Sequence, residues 1–133
     1  MTPLQLIEET KNYYSKDVNR RAVDSEGHCA YLGENGRMCA VGRLLKPSKL
    51  FEAFNYHGGE PNINALFDDE VLSINDFQKK YREAIEKTRE PVYFLRELQS
   101  LHDNYCNWDA DGLTSGAGMH NYFNLTQDFQ YEY

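Results

Sequence analysis

The chain has 133 residues, of which 41% are apolar, and its 21 Asp and Glu residues outnumber 14 Lys and Arg residues, so its formal net charge is −7. This length suits one hydrophobic core, and 10 Tyr and 7 Phe residues can fill it. The net negative charge repels phosphate backbones and anionic lipid, so neither nucleic acid nor a membrane is an expected partner. We therefore expect one domain over residues 1–133, with the tail 121–133 at its periphery.

The N-terminal residues and the cysteines point to an intracellular protein. The first residues lack the basic start and the long apolar run of a signal peptide or membrane anchor. The three cysteines are too few and odd in number for a disulfide scaffold, which favours free thiols in a reducing compartment. The expected location is the cytoplasm.

The first predicted element is a helix that begins at Thr2. Thr2 offers an N-cap, Pro3 suits the first helical position, and Gln5 completes a capping box. This helix should run to about Tyr14. The polar residues 15–27 then indicate a connecting loop.

The next predicted element is a β-hairpin over about residues 28–41. Two short apolar runs, 28–32 and 37–41, flank Asn35-Gly36, and an Asn-Gly pair between such runs favours a tight hairpin turn. The predicted fold class is therefore α+β, a mostly helical single domain with one hairpin.

The remaining chain predicts further helices. Apolar spacing, capping residues and proline or glycine breaks mark their bounds. The expected helices cover residues 42–45, 48–57, 62–67, 73–87 and 91–105. Beyond them, residues 109–118 indicate an irregular loop.

Three stretches resemble a loose group of small uncharacterised proteins of bacteria and their phages. They are the Cys-x-Tyr of residues 29–31, the Cys-Ala-Val-Gly-x-Leu-Leu within residues 36–45, and the Leu-Gln-x-x-His-Asp of residues 98–103. The resemblance implies a bacterial or phage source, and for a phage protein the location would be the host cytoplasm. It implies no activity. By analogy, small phage proteins of this kind bind and disable a host or defence component.

Cys39 and His102 are the candidate catalytic residues. Cys39 should lie where a strand gives way to a helix, a position that favours a thiolate, and a later His102 fits the chain order of cysteine hydrolases and acyltransferases. Asp103 cannot easily orient His102, because adjacent helical residues point about 100° apart. The alternative is a small buried thiol and a core histidine, which the sequence favours without deciding against an enzyme.

Two metal sites are considered, and no metal or cofactor is expected. Cys29, Cys39, His102 and Cys106 could form a zinc set, but the nine residues between the first two cysteines exceed the usual ligand spacing. Residues 107–112 resemble the start of a calcium loop, but position twelve is glycine where a bidentate glutamate is needed.

The favoured function is non-enzymatic binding through the C-terminal region. Its loop lacks core periodicity, and its aromatic side chains suit an interface. The partner would be a protein or a small ligand, and self-association into a homo-oligomer is a further expectation. The expected binding residues are Trp108, Asp109, Asp111, Tyr122, Phe123, Phe129 and Tyr131.

Overall fold

A computed structural model describes residues 1–15, 18–21, 37–49 and 63–103. Four α-helices lie wholly in these ranges: α1 (Pro3–Ser15), α2 (Ile63–Asp68), α3 (Lys79–Glu86) and α4 (Pro91–Asp103). Residues 47–49, within the helix predicted over 48–57 or next to it, are helical as well. Short 3₁₀ turns cover Val18–Arg20, Gly42–Leu44 and Ile74–Asp76. None of the helices in these ranges has both the length and the apolar character that a bilayer crossing requires.

The predicted α+β class is wrong. Of the described residues, 70% are helical and 4% are extended, and these ranges contain no sheet. Residues 37–41, the proposed second strand of the hairpin, hold a single bridge position at Met38 and then turn into the Gly42–Leu44 3₁₀ helix. Arg43 N–H donates to the Cys39 carbonyl at 2.9 Å, so the backbone is already coiling where a strand was expected. The rest of the proposed hairpin, residues 28–36, lies outside the described residues.

The predicted start of α1 is confirmed. Thr2 N–H donates to Gln5 Oε1 at 2.8 Å, and Gln5 N–H donates to Thr2 Oγ1 at 3.1 Å. This reciprocal pair satisfies two of the N–H groups that a helix start leaves without an intrahelical acceptor. The helix then carries Leu6, Ile7 and Tyr14 into the interior.

The single helix predicted over residues 73–87 is divided into two. Ser73 and Asp76 form the expected capping box, but the box opens only the Ile74–Asp76 turn. Phe77 then forms an antiparallel bridge with Leu45, flanked by a 2.9 Å bond from Lys46 N–H to Asp76 O. Pairing with this distant segment takes the backbone out of helical geometry, and α3 begins after it.

The end of α2 uses a left-handed residue. Glu70 has a φ of 60°, Val71 N–H donates to Leu66 O at 2.9 Å, and Glu70 N–H donates to Phe67 O at 3.1 Å. This pair of bonds is a Schellman motif, in which glycine usually occupies the left-handed position. Here the chain turns at an exposed glutamate instead.

The main apolar core draws on all four helices. Each helix contributes fully or almost fully buried side chains, among them Leu6 of α1, Leu66 of α2, Ile85 of α3 and Leu98 of α4. Cys39, Val41, Leu44 and Leu45 lie in the same core, and Ala40 packs with Tyr14 and Leu101 in a smaller cluster.

The i, i+4, i+7 and i+11 spacing of Phe94, Leu98, Leu101 and Tyr105 predicts an apolar stripe on α4. The stripe is confirmed at the first three, which are all buried, and Tyr105 lies outside the described residues.

Candidate functional site

One stretch between the helices is buried along its whole length, and we call it the buried segment. It covers residues 39–45, Cys-Ala-Val-Gly-Arg-Leu-Leu. All seven residues are buried, including Arg43. A stretch with only one 3₁₀ turn and one bridge must still satisfy its other backbone polar groups when it is removed from water. Side chains from α1, α4 and the residue before α3 bind this segment.

The thiol of Cys39 has a structural contact within the buried segment. Cys39 is 0% exposed, and its Sγ accepts a hydrogen bond from Gly42 N–H at 3.1 Å. Gly42 is the first residue of the 3₁₀ turn, so the sulfur satisfies an N–H that this turn leaves free. Buried structural thiols of this kind are generally inert.

His102 lies on the inner side of α4. It is 1% exposed, and its ring packs edge-on against Tyr14, with ring centroids 5.0 Å apart. The Tyr14 hydroxyl donates to the carbonyl of Met38 at 2.6 Å. Tyr14 thus joins α1, α4 and the residue that precedes Cys39.

Two glutamines hold the backbone of the buried segment from either side. Gln99 Oε1, on α4, accepts the Val41 N–H at 3.1 Å. Gln78 Nε2, just before α3, donates to the carbonyls of Arg43 and Leu45 at 3.2 and 3.1 Å. Side-chain amides therefore substitute for the regular hydrogen-bond partners of a strand or helix.

Arg43 forms the polar centre of the fold. Its Nη1 donates to Glu9 Oε2 at 2.9 Å and to the Tyr81 hydroxyl at 3.3 Å, and its Nη2 bonds to Glu9 Oε1. The Tyr81 hydroxyl also donates to Glu9 Oε2 at 3.1 Å. The result is a bidentate guanidinium–carboxylate pair that links α1, the buried segment and α3.

This pair shifts the ionisation of both partners. Burial raises the pKa of the Glu9 carboxyl, but the hydrogen bonds and charge of Arg43 outweigh burial and hold that pKa below its ordinary value. Burial lowers the pKa of the Arg43 guanidinium, but Glu9 outweighs that effect and raises it. Both groups are therefore charged at neutral pH. The Arg43 side chain is 7% exposed and that of Glu9 is 35% exposed, so the pair opens to solvent on the Glu9 side.

The remaining candidate residues lie outside the described ranges. These are the expected binding residues from Trp108 to Tyr131 and two of the zinc candidates, Cys29 and Cys106. In the ranges that the structure covers, no group of three or more His, Cys, Asp or Glu side chains could hold a metal ion.

The chain matches no known family model, and comparison with curated proteins and with solved structures finds no significant match. The resemblance to small bacterial and phage proteins therefore stays a prediction.

The polar network around the buried segment was missed by sequence reasoning. Glu9 and Gln78 carry no motif that separates them from surface residues of a helix. Gln99 stands in the Leu-Gln-x-x-His-Asp stretch and Tyr81 has core-like spacing, but neither pattern identifies a polar contact. One signal was present: Arg43 interrupts an apolar run, and a charge in such a run must be paired if the run is buried.

Proposed function

We propose that the chain acts without catalysis, as an accessory protein of bacterial or phage origin that binds and thereby inhibits or sequesters a host or defence component. The main support for this proposal is that the side chains of both candidate catalytic residues are buried. Cys39 and His102 are 0% and 1% exposed, and an attacking thiolate and its base need contact with the substrate.

The contacts of these two residues support the same proposal. The Cys39 sulfur satisfies the Gly42 N–H, and the His102 ring packs on Tyr14, so each side chain has a role in the fold. A catalytic pair would leave a cleft above the sulfur. Here the six other residues of the buried segment are buried as well.

Binding is assigned to residues 107–133 on the strength of their sequence. The described helices use their apolar faces for the core, so recognition falls to a region with aromatic side chains and no core periodicity. An acidic chain with such a region suits a protein partner, and the cytoplasm is the proposed location.

The proposal is tested by comparing three baits in quantitative capture from a bacterial lysate: the full chain, a chain lacking residues 127–133, and the Cys39→Ala variant. We expect a partner that the full chain and Cys39→Ala capture equally and the shortened chain does not. Loss of capture by Cys39→Ala, with a cooperative unfolding transition retained, would contradict the proposal. Equal capture by the shortened chain would refute the assignment of binding to the tail.

A further inference from the structure

Three cations and two tyrosine rings alternate from the Val18–Arg20 turn to α3; Arg43 and Tyr81 in the middle are buried, Arg20 is partly exposed and Lys80 is exposed. The Arg20 guanidinium lies 4.5 Å from the centre of the Tyr13 ring, and the Arg43 guanidinium lies 4.6 Å from the same ring. Arg43 is also 5.5 Å from the Tyr81 ring, which the Lys80 ammonium covers at 4.7 Å. We call these five residues the cation–tyrosine series.

We propose that the two ends of the cation–tyrosine series, Arg20 and Lys80, bind an acidic polypeptide segment of a partner protein. None of these five residues belongs to 107–133, so the series adds a second contact to the proposed function.

The charge of the series is opposite to that of the whole chain. Its three cations face one hydrogen-bonded carboxylate, Glu9, which pairs with Arg43. In the described part of the chain, Arg20 and Lys80 form no salt bridge, whereas Lys49 pairs with Asp76 at 3.9 Å. Because Glu9 neutralises Arg43, Arg20 and Lys80 are the two cations of the series that form no salt bridge with a described carboxylate.

Arg20 is held in place before a ligand arrives, and Lys80 lies over the Tyr81 ring. Arg20 Nη1 donates to the Tyr13 carbonyl at 2.8 Å while its guanidinium covers the ring of the same residue. Stacking on a ring and one hydrogen bond reduce the side-chain entropy that binding would cost. The other N–H groups of Arg20 remain suited to a bidentate carboxylate.

The arrangement favours an acidic peptide over nucleic acid. Bases bind single-stranded sites by stacking on open aromatic faces, but guanidinium groups already lie against the Tyr13 ring. A nucleic acid also brings a dense row of charges toward an acidic protein, which raises the repulsion. A short extended peptide with a few carboxylates can pair with both cations. Its total negative charge is small, so the acidic protein repels it less than it repels a nucleic acid.

The test is the binding of a fluorescein-labelled octaglutamate peptide to the full chain, followed by fluorescence anisotropy at low salt. The Arg20→Gln/Lys80→Gln double variant should bind at least about tenfold more weakly, as loss of two charge-assisted contacts implies. The matched control is Lys79→Gln, an exposed lysine next to Lys80, which should change the affinity less than about twofold.

Three results would overturn the inference. They are absence of peptide binding by the full chain, equal weakening by Lys79→Gln and by the double variant, and tighter binding of a single-stranded oligonucleotide of the same length. Since no residue of 107–133 is altered, a failure here leaves the capture experiment with the shortened chain unaffected.

Discussion

Gln99 and Val41 are 58 residues apart, and the Gln99 side-chain oxygen accepts the Val41 backbone N–H at 3.1 Å inside the core. The bond joins α4 to the buried segment. Because Gln99 is 3% exposed, water cannot readily replace its oxygen if the side chain is removed.

The Gln99→Leu variant should therefore lose stability. It keeps the side-chain volume but leaves the Val41 N–H without an acceptor, and a buried orphan donor costs about 1–3 kcal/mol. Urea unfolding measures the change. Ser100→Ala, on the exposed face of the same helix, is the control and should stay within about 0.5 kcal/mol of the wild type. Equal stability of Gln99→Leu and wild type would rule out this bond as a support of the fold.

The Glu9–Arg43 pair should make stability depend on pH. The folded-state pKa of Glu9 is lowered from the ordinary value of 4.5, so its stabilising effect is complete above that value and is lost as the pH falls through the folded-state pKa below it. At neutral pH, Glu9→Gln should cost roughly 2–3 kcal/mol, which is less than for a fully buried pair because Glu9 is partly exposed.

The measurement is urea unfolding of wild type and Glu9→Gln from pH 7 downward. The difference between the two proteins should shrink below pH 4.5. Glu8→Gln, an exposed neighbour, is the control and should change stability by less than about 0.5 kcal/mol. A difference that does not vary with pH would show that Glu9 acts by packing and not by charge.

The Glu70→Gly variant should be more stable than the wild type. Glu70 holds a φ of 60°, where a side chain costs about 1–2 kcal/mol and glycine fits without strain. We expect a gain of about 0.5–1 kcal/mol, since glycine also gains freedom in the unfolded chain. Arg96→Gly, exposed within α4, is the opposite control and should cost about 1 kcal/mol. A loss at both positions would exclude a left-handed conformation at Glu70.

Removal of metal should leave the fold unchanged. In the described part of the chain no cluster of potential ligands could bind a metal ion, and the sequence offers no set with zinc-like spacing. Thermal unfolding with and without a strong chelator should give the same Tm. A drop of more than about 10 °C would imply a binding contribution of at least about 2 kcal/mol and a ligand set that includes residues outside the described ranges.

Local patterns predicted those parts of the fold that local interactions determine. The capping box of Thr2 and Gln5 and the buried stripe of α4 were predicted because neighbours in sequence create them. The pairing of Leu45 with Phe77 was not, because it joins segments 32 residues apart and overrides the helical spacing of Phe77 and Tyr81.

In the candidate site, too, local features could be predicted from the sequence and long-range contacts could not. Burial of Cys39 was the favoured interpretation, since free cysteines are commonly core residues. The 3₁₀ turn that its sulfur caps was foreseen only as a short helix over residues 42–45. The Glu9 partner of Arg43 is 34 residues away on another helix, and no pattern in one sequence identifies such a pair.

The central claim, that Cys39 is a structural thiol, is tested most directly by brief iodoacetamide labelling of the native protein at pH 6, with each cysteine followed by peptide mass mapping. We predict that Cys39 stays unmodified in the native protein and is modified only after denaturation, because its sulfur is buried and accepts the Gly42 N–H. Rapid, stoichiometric labelling of native Cys39 at this pH would reveal an accessible thiolate and would contradict the account in favour of a cysteine-dependent hydrolase or acyltransferase.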